Sequence, residues 1–242
     1  MNSFIKPARL VADKLQSVLK VLLTDPDADK MEYFSKILAE LKEIAKFYSY
    51  GFPEFIESTK SKTVRTKYSQ GGDCVHRGLL CPSPILNLIA GCNKGIWITS
   101  ADEATDNYYK YRFDADNKLL SVNHYNYSAS KTIPDNIEFI LRRDNIEYGI
   151  TFHSSWNEVS SVSKSVYADG HLENYAFADY DHSTPDEMFL HYEEFIYEND
   201  QPIQADVYFG ISPQLDMFTL DTFHLSYEMD HEVSLQKISQ NH

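Results

Sequence analysis

The chain has 242 residues, with 22 Lys and Arg against 36 Asp and Glu, a formal charge of −14. At 43% hydrophobic and 24% charged it is a globular composition, long enough to bury a sizeable core. The acidity argues against a direct nucleic-acid partner or an anionic membrane surface, because phosphate recognition needs a basic patch. No apolar run approaches the roughly 20 residues that cross a bilayer, and no signal-peptide pattern opens the chain. Three cysteines, Cys74, Cys81 and Cys92, close no disulfide framework by their odd number. The expectation is a cytoplasmic, reducing location.

In chain order, residues 7–23 repeat Leu10, Leu15, Val18, Leu19 and Leu22 near helical spacing. After a break at 24–29, Tyr33, Phe34, Ile37, Leu38, Leu41, Ile44 and Ala45 form an apolar stripe that predicts a second helix over 30–48. Gly51 and Pro53 read as its stop. Residues 54–63 read as a polar connection and 64–68 as a short strand. The stretch 69–93 is irregular, with Ser83 capping a short helix that has Pro84 at its first position. Strands are expected at 96–98, 108–113, 119–127, 137–141, 146–153, 159–167, 172–177, 205–209 and 217–227. Residues 188–197 are ambiguous. Thr184 to Glu187 matches a helix capping box, whereas Phe195 to Glu198 leads into a turn, so a strand is expected by 194 with a helical turn before it.

Four hairpins organise the β-rich part. Their turns fall at Asp116-Asn117, Asp144-Asn145, Asp169-Gly170 and near Asp200-Gln201, where Asp, Asn and Gly tolerate the left-handed backbone of tight turns. Steps of 28, 25 and 31 residues between the turn aspartates are too irregular for a strict solenoid. The fold expected is a single α+β domain over 1–242. Its helical segment, 1–62, packs on an extended antiparallel sheet of successive hairpins.

No catalytic motif accompanies this architecture. Cys74, His76, Cys81 and Cys92 lack the paired spacing of structural zinc, so inert thiols are the plainer expectation. Gly71-Gly72 is not a phosphate loop. The alternative to a binding protein is a metal-dependent hydrolase using His182, His191 and nearby carboxylates such as Asp181. Glu193-Glu194 as an acid/base pair is disfavoured, because neighbours on a strand point to opposite faces. The expectation is therefore no catalytic residues, no metal and no cofactor.

Charge is distributed unevenly. From Ser165 to Gln236 there is no Lys or Arg but sixteen Asp and Glu, which leaves the rest of the chain near neutral at +2. The same stretch holds thirteen Tyr and Phe. Aromatic anchors among carboxylates suit a protein-binding surface, and the competing reading is an aromatic core under a solvated acidic coat. The candidate partner-binding residues are Asp179, Tyr180, Asp181, Asp186, Glu187, Tyr192, Glu193, Glu194, Tyr197, Glu198 and Asp200.

An acidic, cysteine-poor, aromatic-rich α+β chain without catalytic motifs resembles the immunity proteins of bacterial polymorphic-toxin systems. The resemblance implies a non-enzymatic inhibitor that binds a basic cognate toxin directly, often over its active site. The stretch from Tyr111 to Leu119 is also similar to a single tyrosine-aspartate repeat of the Rhs type, with Asn117 where that repeat has Gly.

Overall fold

Among the described residues, six with side chains stand in the left-handed backbone region, and five of them make the hairpin turns: Asn117, Asp144, Asp169, Asn199 and Asp200. Gly170 completes the third turn at φ 86°. The structure, a computed structural model, describes residues 28–71, 77–92, 95–130, 132–154, 158–180, 188–212, 218–227 and 233–238. The helix expected over 7–23 lies outside them.

Two helices precede the sheet: α1 (Ala28–Tyr48) and α2 (Phe52–Lys62). The strands are β1 (Arg65–Gln70), β2 (Ile96–Ile98), β3 (Tyr108–Phe113), β4 (Leu119–Tyr125), β5 (Asn136–Arg143), β6 (Ile146–His153) and β7 (Glu158–Ala168). They continue with β8 (His171–Tyr180), β9 (Met188–Glu198), β10 (Gln201–Ser212), β11 (Phe218–Tyr227) and β12 (Val233–Ile238). All twelve belong to one antiparallel sheet, ordered β2-β1-β3 and then consecutively to β12. Apart from β2, which pairs on the outside of β1, position along the chain is therefore position across the sheet. At the usual strand spacing the sheet measures about 50 Å from edge to edge along its surface.

Both faces are covered near the middle. On one face α1 lays Phe34, Ile37, Leu38, Leu41 and Ala45 onto Phe139, Ile150, Phe152, Val162, Leu190 and Tyr192. Phe55 of α2 stacks on Phe139 with centroids 5.0 Å apart. Polar contacts fix the docking: Glu40 accepts from Tyr148 Oη (2.6 Å) and Lys164 Nζ (2.7 Å), and Tyr180 Oη donates to the Leu41 carbonyl. The other face is crossed by residues 77–92, a strap containing the short helix α3 (Leu86–Ile89). Its Ile85 and Leu86 pack on Leu172, Tyr175, Phe195, Val207, Phe209 and Phe223. Ser83 Oγ accepts from the amides of Ile85 and Leu86, but the N-cap position of α3 is Ile85, so Pro84 stands ahead of the helix and not at its first position.

Three further expectations change. Residues 54–63 are mostly helix, not a connection. Pro53 sits in the first turn of α2, where a missing N–H costs nothing, with Glu54 beside it and Lys60 and Lys62 in the last turn. Strand β9 begins at Met188, with no helical turn from there on. β12, which the sequence reading did not include, pairs with β11. In addition, Cys92 is disulfide-bonded, so the expectation of three inert thiols fails at that position. No described helix is long and apolar enough to cross a membrane.

Leu41 is fully enclosed between α1 and the sheet. Leu41→Ala should destabilise the protein by about 2–5 kcal/mol. Chemical denaturation should show a lower midpoint with an unchanged slope.

Candidate functional site

Because strand order follows chain order, the acidic stretch beginning at Ser165 becomes the β8–β12 half of the sheet. The residues singled out there do not form one surface. Asp179 and Tyr180 lie at the end of β8, where Tyr180 pairs with Met188. Tyr197, Glu198 and Asp200 lie at the opposite end of β9, about 30 Å away at the usual rise per strand residue. Asp181, Asp186 and Glu187 lie outside the described residues, as does His182. Two candidates are buried: Tyr192 under α1 and Glu193 under the strap, at 1% and 0% exposure. Neither can touch a partner while the fold holds. A strand in a two-sided core buries residues of both parities, which an alternating pattern cannot reveal.

Glu193 and Glu194 do point to opposite faces. Glu193 Oε1 lies 2.5 Å from His191 Nε2, both groups enclosed. Glu194 faces α1 and takes Lys30 Nζ at 2.7 Å. His191, proposed above as a metal ligand, is thus held by a buried carboxylate, and no group of three or more metal-ligating side chains forms among the described residues.

Among the described residues of this half, the exposed carboxylates gather at the rim formed by the hairpin turns. Asp169, Glu173, Glu198 and Asp200 are all exposed at the β7–β8 and β9–β10 ends. His171 sits among them, 3.3 Å from Asp200 and with its ring against Tyr197, whose hydroxyl donates to the Leu172 carbonyl. A cleft opens beside this half of the sheet at the start of α1, lined by Asp29, Lys30, Tyr33 and Glu194.

Sequence reasoning missed the buried charge beneath the strap. Arg77 is 2% exposed, with Nε 2.7 Å from Glu138 Oε1 on β5, and it also pairs with Glu147 on β6. Arg142 Nη2 closes on Glu147 at 2.5 Å. Burial works against the Arg77 charge, but Glu138 and Glu147 more than offset it and hold the guanidinium protonated. The row Arg142, Glu147, Ser165, Tyr175, Glu193 runs across β5 to β9 in register. Gly149 makes the room, since a Cβ there would overlap Glu138 Oε1 and crowd Arg77 and Ser163. The residue pattern around Arg77 gives no hint of this insertion. The Arg77-Gly78 pair, both left-handed, is the nearest thing to a signal. Cys81 lies near the same layer. Burial, reinforced by the Glu193 charge, pushes its thiol up to about 12.

No protein-family model, curated protein or solved structure matches the chain.

Arg77→Met leaves two buried carboxylates facing an apolar stem and should cost about 3–5 kcal/mol, read as a lower denaturation midpoint. Gly149→Ala should also lower it, through the same ion pairs. The Cys81 thiol should be unreactive: with its pKa raised to about 12, about one molecule in ten thousand is thiolate at pH 8, against roughly a quarter for an ordinary thiol. Iodoacetamide should label Cys81 in the native protein only as pH climbs toward 12, and readily at pH 8 in denaturant. Fast native labelling at pH 8 would contradict the raised pKa.

Proposed function

We propose that this chain is a non-enzymatic binding protein for a basic protein, working in the manner of the immunity proteins it resembles. The observation that carries the reading is the exposed acidic rim: Asp169, Glu173, Glu198 and Asp200 stand together at the turn end of a sheet whose other half is near neutral. Such a one-sided field concentrates and orients a cationic partner and speeds encounter, while apolar contacts set residence time. Tyr197, half-buried and tethered through its hydroxyl, is ordered aromatic surface beside those charges. A basic toxin domain is the partner that this reading favours. The disulfide at Cys92 weighs against a strictly reducing compartment, since such bonds persist mainly in oxidising ones.

The test replaces Asp169, Glu173, Glu198 and Asp200 with Lys together, and leaves the buried Glu193 alone. Wild-type protein immobilised on resin and exposed to extract of the source cells should retain a strongly basic protein at low salt and release it as salt rises. The quadruple variant, folded by circular dichroism, should retain little of it, with an association rate at least about tenfold slower. Equal capture by both proteins, independent of salt, removes the rim from consideration.

A further inference from the structure

We propose that the cleft at the start of α1 is a socket for an arginine or lysine side chain of the partner, filled in this structure by the protein's own Lys30. This inference rests on the basic-partner reading and adds the point of entry.

Three features build the socket. The first is paired negative charge: Glu194 on β9 and Asp206 on β10 stand directly opposite in register, on the face that α1 covers. Like charges in that position destabilise a sheet, and a cation between or above them relieves the repulsion. Asp206 Oδ1 is held by Thr222 Oγ1 at 2.8 Å and by Gln204 Nε2 at 3.2 Å, which fixes it in place without neutralising it. The second feature is an aromatic wall. The Lys30 ammonium lies 4.9 Å from the centroid of the Tyr208 ring and 3.2 Å from its hydroxyl. Beneath the cleft, the buried Tyr192 hydroxyl donates to Glu194 Oε1 at 3.3 Å, and Tyr33 Oη meets Tyr192 Oη at 3.0 Å. A carboxylate held by phenols beside a ring face is the chemistry that recognises an ammonium or a guanidinium.

The third feature is a weakly held occupant. Lys30 belongs to the first turn of α1, where backbone amides lack helical partners and the helix end opens most easily. Its side chain is 38% exposed, and that of Glu194 35%, so the pair is partly solvated and easily exchanged. An arriving arginine adds what Lys30 lacks, a planar fork that grips Glu194 through two N–H groups and stacks on Tyr208. The surroundings suit a docked protein: Tyr33 is 41% and Ile196 50% exposed, and β9 runs from Glu194 straight to Glu198 at the acidic rim.

The probe is a fluorescein-labelled tetra-arginine peptide titrated against the full chain by anisotropy at low salt. Lys30→Met should bind it at least threefold more tightly than wild type, because the socket is vacated. Lys36→Met removes the same charge from the exposed face of α1 and should change little, which separates socket from net charge. Glu194→Gln should weaken binding about tenfold, and the Lys30→Met/Glu194→Gln double variant should be as weak. Lys30→Met binding no more tightly than Lys36→Met, or Glu194→Gln binding like wild type, overturns the socket. If those results come with loss of binding in the rim variant, the basic-partner reading stands and only the socket falls. If wild type binds tetra-arginine no better than a tetra-serine control, both fall.

Discussion

The Arg77 guanidinium, sealed between Glu138 and Glu147, is the interaction that lets this sheet have two inner faces. An antiparallel sheet ordinarily keeps one face for water. Here the second face receives the strap, and the strap is held by a charge that must be satisfied wherever it is buried. Two local features admit it. Arg77 and Gly78 both take left-handed backbone, turning the chain down onto the sheet, and Gly149 leaves a gap where any side chain would strike Glu138. Tyr111 locks the turn from the side: its hydroxyl donates to the Arg77 carbonyl and accepts from the Leu79 amide. Once Arg77 is in place, Ile85 and Leu86 fall onto the aromatic face of β8–β11. A buried ion pair is seldom more stable than apolar residues of the same volume, but it is far more particular about position. It fixes where the strap sits.

That two-sided core explains which parts of the sequence were legible. Turn positions were, because Asp, Asn and Gly at 116–117, 144–145 and 169–170 have a local backbone reason to be there. β6 was, because apolar Ile150 and Phe152 alternate with residues that suit the other face. The opposed orientation of Glu193 and Glu194 followed from strand geometry alone. The burial of Tyr192 and Glu193 did not, since it depends on α1 and the strap arriving from elsewhere in the chain. Pro53 was read as an end because proline both stops one helix and starts another, and only the tertiary path distinguishes the two. Nothing local marks Arg77 as an interior residue.

The consecutive strand order turns a linear fact into a spatial one. In a fold with crossovers, sixteen carboxylates from one third of the chain would be scattered among neutral strands. Here those among the described residues occupy one half of the sheet, and the question becomes which of them water sees. Glu193 is withdrawn against His191, Asp221 is drawn down by Lys237 at 2.5 Å, and Glu194 is met by Lys30. Among the described residues, those left to the solvent are mainly at the turns. Their like charges are tolerable there because high dielectric and salt screen them, whereas the same charges mid-strand would repel across 5 Å.

The placement of the exposed groups therefore follows from the covering of the faces. α1 crosses the sheet at a slant, its Phe34 reaching Tyr208 on β10 while its Glu40 meets β6 and β7. Beyond its first turn, the same face of β9–β11 carries Ile196, Thr222 and His224 at partly or fully exposed positions. On the proposed reading, a basic partner would meet the turn rim first and then this uncovered terrace, with the Lys30 cleft at its inner border. In that reading, long-range attraction and short-range fit would come from adjoining parts of the molecule. The rim is screened by salt and tolerant of geometry, so it can gather many cations. The cleft, with its fixed carboxylates and ring, is where the proposed socket would tell one cation from another.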